Sequence, residues 1–327
     1  MKILGMGNAL VDVLALIEDD KILEDMCLPK GSMQLIDSEK MSNLNVAIAN
    51  MEKVIACGGS ASNTITALSR LGIETGFIGK TGNDFYGDYF EKDLQKSGAV
   101  AHLTQVDAIS GVAIALISKD GERTFGTYLG AAADLKPEDL RTDVFAKYDY
   151  LYIEGYLMQN YDLLKTALQK AKDLGLKIIL DLASYNVVEE NRSFLLAIIP
   201  DYVDIVFANE EESRALLNLP VADALEKLSE QCDLVIIKEG SKGSSIRQKD
   251  KTISILTYRI PRIDTTGAGD MYAAGFLYGL LSGLSFETAG KIGNYLAECV
   301  IQVVGAKLTD DKWEEAKQTI QKISANN

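Results

Sequence analysis

A short glycine-rich segment, residues 264–270 (DTTGAGD), has the residue types and spacing of an anion-binding loop. The segment that follows it, 271–281, is apolar on nearly every face and predicts a buried helix. Small side chains leave the backbone N–H groups of Ala268, Gly269 and Asp270 uncovered, and the start of a helix adds positive partial charge. The sequence therefore predicts a site for an anion such as a phosphate at the beginning of this helix.

Asp270 lies in the first turn of the predicted helix, beside the bound anion. A carboxylate next to a phosphate is electrostatically unfavourable, so its presence needs a reason. Phosphoryl transfer supplies one, because the carboxylate takes the proton of the attacking hydroxyl while the loop amides stabilise the moving phosphoryl group. A structural interpretation stays open, since Asp270 is also a first-turn acid that the helix dipole favours, and the glycines also form a plain turn.

The composition limits the classes of protein that could use such a site. The 327 residues are 47% apolar, enough for a sizeable core, and the net charge of −14 argues against a nucleic-acid partner. No apolar run reaches the ~20 residues of a membrane helix, and the start does not resemble a signal peptide, so we expect a cytoplasmic protein without a membrane partner. The cysteines form no CxxC pair and His102 is the single histidine, which disfavours a zinc site and a Ser-His-Asp hydrolase.

The elements that must position the loop alternate along the chain. Apolar strand-like runs such as 176–181 and 234–238 are separated by helical patterns. This alternation predicts an α/β protein with a doubly wound, mostly parallel sheet flanked by helices. Two extended segments, about 14–37 and 109–130, break the alternation, and we expect them to form a small β-sheet lid on a single domain that spans 1–327.

Two motifs resemble the signatures of a known family. Segment 264–270 and the helix after it resemble the second signature of the ribokinase-like (PfkB) carbohydrate kinases, and residues 58–64 (GGSASNT) resemble the first. The resemblance covers essentially the whole chain, with both motifs in the family's order. It implies the ribokinase-like fold and an ATP-dependent kinase that phosphorylates a hydroxyl of a small sugar or nucleoside. Asp270 is then the catalytic base, and the backbone from Gly267 to Gly269 stabilises the transferred phosphoryl group.

The resemblance also assigns the acceptor side of the site. Asp12 matches an aspartate that holds sugar hydroxyls, a role that suits a carboxylate because it can accept hydrogen bonds from two adjacent hydroxyls. Gly58, Gly59 and Asn63 match the substrate loop, and Arg123 matches an arginine near the transferred phosphate in nucleoside kinases. Without the resemblance, Asp12 is also a turn aspartate, Asn63 a helix-start asparagine and Arg123 a solvated hairpin arginine.

On the nucleotide side, Asn209 and Glu212 have the spacing of the family's N-x-x-E motif, which is linked there to Mg²⁺ and phosphate placement. An asparagine before a helix with a glutamate three residues later also forms a capping box, and both interpretations can hold. Gly240 and Gly243 match a loop that covers the nucleotide. Lys238 precedes this loop where relatives often have threonine, and it either binds phosphate or is a surface residue.

Further positions resemble the adenine and cation sites of the family. Asn294 falls where relatives line the adenine pocket, and Asp264, Thr266 and Gly305 fall where they hold a monovalent cation. The resemblance therefore implies ATP, Mg²⁺ and also K⁺ as ligands.

The N-terminal third is most similar to the adenosine-kinase-like branch, through segments 7–12 (GNALVD) and 30–37 (KGSMQLID). A nucleoside needs an apolar slot for its base, and the lid segments offer Leu14, Leu16, Met33, Leu35, Phe125 and Tyr128. We expect adenosine or a related nucleoside as acceptor. A free sugar such as ribose, fructose or 2-keto-3-deoxygluconate stays an alternative, as does a non-catalytic nucleoside sensor on the same fold. The resemblance is compatible with a monomer and with a homodimer that pairs through the lid.

Overall fold

The computed structural model describes residues 1–258 and 260–325, and its strands form two sheets. In chain order the strands are β1 (Lys2–Met6), β2 (Leu10–Leu16), β3 (Met33–Leu35), β4 (Lys53–Cys57), β5 (Glu74–Gly82), β6 (Val100–Val106), β7 (Gly111–Ile117), β8 (Arg123–Tyr128), β9 (Tyr150–Glu154), β10 (Lys177–Asp181), β11 (Ile205–Asn209), β12 (Leu234–Lys238), β13 (Ser244–Gln248) and β14 (Lys251–Ile255). The α-helices are α1 (Lys21–Asp25), α2 (Ser38–Ala47), α3 (Ser60–Arg70), α4 (Phe85–Ser97), α5 (Thr142–Phe145), α6 (Tyr161–Asp173), α7 (Tyr185–Glu190), α8 (Arg192–Tyr202), α9 (Glu210–Leu217), α10 (Val221–Ser229), α11 (Ala268–Leu281), α12 (Phe286–Val300) and α13 (Asp310–Ala325).

The larger sheet has nine strands in the order β14-β13-β12-β11-β10-β9-β1-β5-β6. The pairs from β12 to β6 are parallel, and β13 and β14 are antiparallel to their neighbours. Alternate strand residues face two apolar layers: Ile179 and Phe207 pack with α11 and α12, whereas Ile178 and Val206 pack with α6 and α8. Burial on both faces explains the continuous apolar runs in the sequence, and the predicted α/β, mostly parallel fold is confirmed.

The second, smaller sheet has five strands in the order β3-β8-β7-β2-β4. One of its faces is covered by α1 and α2, where Val13 and Ile114 pack with Leu23 of α1 and Leu44 of α2. We call this sheet with its two helices the lid. The prediction of its strands was incomplete: β4 was missed, and segment 14–37 is not extended throughout because α1 lies within it.

The predicted buried helix is α11, which begins at Ala268 and is enclosed along most of its length. Its side chains from Met271 to Leu277 are all buried, as expected for a helix that is apolar on every face. α11 packs against α12 and, through its first turns, against α3. Among the described residues no helix is both long and apolar enough to cross a membrane.

Candidate active site

A cavity of about 1010 Å³ lies between the lid and the carboxyl ends of the central strands of the larger sheet. Open α/β sheets bind ligands at this edge, because loops from neighbouring strands meet there. The predicted site residues that line the cavity are Asp12, Gly59, Asn63, Asn209, Glu212, Lys238, Gly240, Gly243, Thr266, Gly267, Ala268, Gly269, Asp270 and Asn294. Gly58, Arg123 and Asp264 lie directly behind them and contact them, as described below.

Asp270 lies in the first turn of α11, where Gly267 caps the helix with a positive φ of 76°. Ser60 donates a hydrogen bond to Asp270 Oδ1 at 2.7 Å, and the side-chain amide of Asn63 donates one to Oδ2 at 2.9 Å. Protein encloses the carboxylate on all sides except the cavity, which raises its pKa to about 6, although both hydrogen bonds oppose the shift. Asp270 is therefore ionised at neutral pH and can accept a proton.

The role of Asn63 is wider than the predicted contact with the substrate. Its amide group is used by Asp270, while its Oδ1 atom is buried and accepts no hydrogen bond from any described residue. A buried acceptor without a donor is uncommon in folded proteins. Ser60 was missed by the sequence analysis, although its position three residues before Asn63 on α3 places both side chains on one helix face.

Asp12, on β2, faces the same cavity from the lid. Burial raises the pKa of Asp12 to about 7, and Lys307 and Arg123 partly oppose this shift. Gly58 makes room for the carboxylate, because a Cβ atom at this position would lie 2.3 Å from Asp12 Oδ1. Gly58 therefore provides the space that the Asp12 side chain occupies, rather than a direct contact with the substrate.

The cavity face of the lid continues from Asp12 into an apolar row. Strand register aligns Leu14 with Ala115, Ala115 with Phe125, and Phe125 with Met33, so these side chains share one face. Leu16 lies two residues after Leu14, and Leu35 two residues after Met33, so both side chains are on the same face. Tyr128 is not, because it packs on the opposite face with the residues under α1 and α2, and the prediction that it lines a base slot is wrong.

Asn209 and Glu212 form the capping box of α9. Asn209 Oδ1 accepts from the Glu212 N–H at 2.8 Å, and Glu212 Oε2 accepts from the Asn209 N–H at 2.8 Å. The Asn209 side-chain amide donates to Glu212 Oε1 at 2.7 Å. Both residues still line the cavity, so the structural interpretation is confirmed and the predicted role in phosphate placement stays a prediction.

Lys238 is not a surface residue, since its side chain is enclosed beside residues 264–270, which we call the anion loop. Its Nζ atom lies 3.1 Å from Asp181 Oδ2 and 3.3 Å from the point where a Cβ atom on Gly269 would be. Burial lowers the pKa of the ammonium, but Asp181 and Glu212 outweigh it, so the net pKa is raised and Lys238 carries a positive charge. Asp181 was missed, although it ends a strand that the sequence predicted.

Asn294 and Glu298, on α12, hold the segment after β14 that forms one wall of the cavity. The Asn294 amide donates to the backbone carbonyls of Leu256, at 3.2 Å, and Ile255, at 3.4 Å. Glu298 accepts from the Thr257 hydroxyl and from the Tyr258 N–H. These bonds hold this wall of the cavity in place.

Asp264, which was predicted near a monovalent-cation site, is surrounded by hydrogen-bond donors. Its Oδ1 accepts from the N–H and hydroxyl of Thr266, at 3.1 and 2.8 Å, and its Oδ2 accepts from the Gly305 N–H at 2.6 Å. The guanidinium of Arg123 completes this shell, 2.8 Å from Asp264 Oδ2. Arg123 is therefore not a solvated hairpin residue, and the donors around Asp264 do not fit K⁺.

The fold and the cavity together define a phosphotransferase that acts on a hydroxyl. The loop of residues 264–270, the ionised Asp270 and the enclosed Lys238 are the groups that phosphoryl transfer uses, and the lid lies opposite them across the cavity.

Comparison with known proteins agrees with this class. Residues 32–313 match the family model described as pfkB family carbohydrate kinase, so the chain belongs to the pfkB family. It is 34% identical to the adenosine kinase from Sinorhizobium meliloti, with a TM-score of 0.87 over 97% of this chain and 99% of that one. It is 32% identical to a probable sugar kinase from Rhizobium etli, with a TM-score of 0.87 over 97% and 98%. It is 30% identical over 260 residues to a 5-dehydro-2-deoxygluconokinase from Bacillus licheniformis, covering 75% of this chain and 80% of that protein.

The predicted family, fold and enzyme class are thereby confirmed. The protein is a carbohydrate or nucleoside kinase, a class that uses ATP.

Proposed function

We propose that this kinase phosphorylates a hydroxyl of a nucleoside, adenosine or a close relative. The observation that carries the proposal is the lid face, on which the hydroxyl-binding candidate Asp12 is continuous with the apolar row of Leu14, Phe125 and Met33. A free sugar has no large apolar part to place there, whereas a nucleoside has a base next to its ribose. The similarity to the adenosine kinase from Sinorhizobium meliloti supports the same assignment.

On the acceptor side, Asp12 accepts hydrogen bonds from ribose hydroxyls, and Asn63 lines the cavity beside it. Ser60 and the Asn63 amide fix the orientation of the Asp270 carboxylate. Asp270 then takes the proton from the hydroxyl as its oxygen attacks the γ-phosphorus of ATP, and the bond from that phosphorus to the β,γ-bridging oxygen breaks to release ADP. A pKa of about 6 suits this base, because it is ionised at neutral pH yet basic enough to accept the proton.

On the donor side, the backbone amides from Gly267 to Asp270 and the ammonium of Lys238 stabilise the negative charge of the phosphoryl group. The segment held by Asn294, with the loop that contains Gly240 and Gly243, forms the walls for the nucleotide.

Magnesium fits this cavity in the way that Mg²⁺ usually binds with nucleotides, through one or two carboxylates, water and substrate phosphates. Glu212, which lines the cavity, is the carboxylate that would hold it indirectly, through water, because Asp181 is already paired with Lys238. Among the described residues no group of three or more ligating side chains forms a separate metal site. A bound Mg²⁺ would neutralise phosphate charge.

A free keto sugar or sugar acid is the second candidate acceptor, and the 30% identity to a 5-dehydro-2-deoxygluconokinase favours it. Such a substrate would use Asp12, Asn63 and Asp270 in the same way but would leave the apolar row uncovered.

The exposed part of the lid face also bears on the oligomeric state. Leu16, Leu35 and Val54 expose 63%, 57% and 62% of their surface. We propose that these side chains are covered either by the bound acceptor in a monomer or by the lid of a second copy. Light scattering with and without acceptor separates the two.

The test of the proposed function is ATP consumption with Mg²⁺ across adenosine, other nucleosides, ribose, fructose and keto-deoxy sugar acids. We expect turnover with one nucleoside that is at least tenfold more efficient than with any free sugar. Preferred turnover of a free sugar would contradict the nucleoside assignment and leave the kinase mechanism intact. ATP binding without turnover of any acceptor would favour a nucleoside sensor.

A further inference from the structure

The anion loop is tied to the lid by one enclosed ion pair. Arg123 Nη2 lies 2.8 Å from Asp264 Oδ2, and Arg123 Nη1 lies 3.4 Å from the hydroxyl of Thr266. The two charged side chains expose only 13% and 5% of their surface. Arg123 is the first residue of β8 in the lid, whereas Asp264 and Thr266 directly precede Gly267, which caps α11. A single guanidinium thus joins the two walls of the cavity.

Asp264 has no acceptor position left for a second cation. A carboxylate offers about four lone-pair positions, and Thr266, Gly305 and Arg123 use them through the four contacts described above. A monovalent cation on this carboxylate would also lie beside the guanidinium. Like charges repel strongly in an enclosed site, because little water is present to screen them. The guanidinium and an exchangeable ion therefore exclude each other.

We propose that Arg123 is the built-in cation of the anion loop, and that this kinase needs no monovalent cation at Asp264. The guanidinium neutralises Asp264 and bonds to Thr266, so the backbone that leads into α11 is held without an exchangeable ion. Because Arg123 belongs to a lid strand, the lid supplies this charge to the loop. The statement about turnover rests on the proposed function, whereas the statement about the loop does not.

Thermal unfolding without nucleotide or acceptor tests the proposal independently of turnover. The wild-type protein is expected to have the same Tm in potassium chloride and in choline chloride at equal ionic strength. Arg123→Gln leaves Asp264 as an enclosed charge without a cationic partner, so its Tm falls by several degrees in choline. Potassium should restore at least half of this loss, because the opened carboxylate can then bind the ion.

Two further variants separate this effect from a general weakening of the lid. Arg123→Gln combined with Asp264→Asn removes both charges, so its Tm should no longer respond to potassium. Arg141→Gln removes an exposed arginine–aspartate pair, with Asp143, and is the matched control with an unchanged Tm in both salts. Once an acceptor is known, wild-type turnover should be equal in the two salts, and Arg123→Gln should be activated by potassium.

Two results would overturn the proposal. The first is a wild-type Tm or turnover that rises clearly in potassium, which would mean that an ion and not Arg123 serves Asp264. The second is an Arg123→Gln protein that is destabilised but responds equally to both salts, which would mean that Asp264 does not need a positive charge. Both outcomes of the Tm experiment are readable even if the protein turns over none of the tested acceptors.

Discussion

The two walls of the cavity differ in how fully their groups are already partnered. On the anion-loop wall, Asp270, Asp264 and Lys238 all have protein partners within hydrogen-bond distance. On the lid wall, Leu16 and Leu35 leave more than half of their surface exposed, at 63% and 57%. Paired, preorganised groups are suited to chemistry that is the same for every acceptor. An exposed apolar face gains stability when a ligand covers it, and so it is suited to choosing the ligand.

This difference predicts how variants divide between the two walls. Substitutions on the anion-loop wall should lower kcat for every acceptor alike, because they alter the transferred group and the base. Substitutions on the lid wall should raise KM and change the preference among acceptors, because they alter the part of the acceptor that does not react.

The largest effect is expected for Asp270→Asn, which removes the base. We expect kcat to fall by about 10²–10⁴-fold with little change in acceptor binding, because proton transfer by a positioned side chain contributes about that much. Steady-state kinetics and calorimetric titration of the acceptor measure the two quantities. Asp162→Asn, an exposed first-turn aspartate of α6, is the matched control that should leave both unchanged. A near-normal kcat in Asp270→Asn would contradict the assignment of Asp270 as the catalytic base.

Lys238→Met is expected to have the next largest effect. It removes the ammonium beside the anion loop, and the loss of one such charge-stabilising group costs about 10²-fold in kcat. The KM for ATP should rise as well, because the same ammonium contacts phosphate in the ground state. Lys242→Met is the control, since that lysine is 68% exposed on the neighbouring loop. Equal effects of the two substitutions would show that Lys238 acts only through the overall positive charge of this region, and not through contact with the phosphoryl group.

Phe125→Ala should affect the lid wall alone. The KM for a nucleoside is expected to rise about tenfold, because base–aromatic stacking contributes about 1–3 kcal/mol. The kcat should change little, and weak turnover of free ribose should not change. Phe85→Ala, an aromatic residue that is 63% exposed and outside the cavity, is the control. A loss of kcat with unchanged KM would contradict the division between the walls.

Ser60→Ala is expected to give the smallest change, a displaced pH profile. Asp270 must be ionised to act, so kcat/KM of the wild type should decline below pH about 6. The Ser60 hydroxyl favours the ionised form and lowers this pKa, and its removal should move the acidic limb to higher pH. The rate on the alkaline plateau should stay close to that of the wild type. An acidic limb at the same pH as in the wild type would mean that the Ser60 hydroxyl does not lower the pKa of Asp270.

The anion-loop wall could be predicted from sequence largely because its determinants are local. The loop, the helix behind it and the capping box at Asn209 are all contained in short segments, and small residues followed by an apolar helix specify them. The mostly parallel α/β fold followed from the alternation of apolar runs with helices, whereas the order of its strands was not predicted.

The remaining features depend on contacts between distant segments. Ser60 and Asp181 contact Asp270 and Lys238, which are distant in sequence, and the local patterns around them do not specify these partners. The face on which Tyr128 lies is set by strand register, and a shift of one residue reverses it. The pairing of Arg123 with Asp264 joins residues of two separate walls, so a cation site was predicted where a guanidinium is present.

A crystal structure of the protein with adenosine and a non-hydrolysable ATP analogue tests the central claim most directly, because it shows both walls at once. We predict that the acceptor hydroxyl is within hydrogen-bond distance of Asp270 and that Asp12 holds the neighbouring ribose hydroxyls. The adenine of the nucleoside should lie against Leu14 and Phe125. A nucleoside bound with its base away from the lid, or with its hydroxyl out of reach of Asp270, would contradict it.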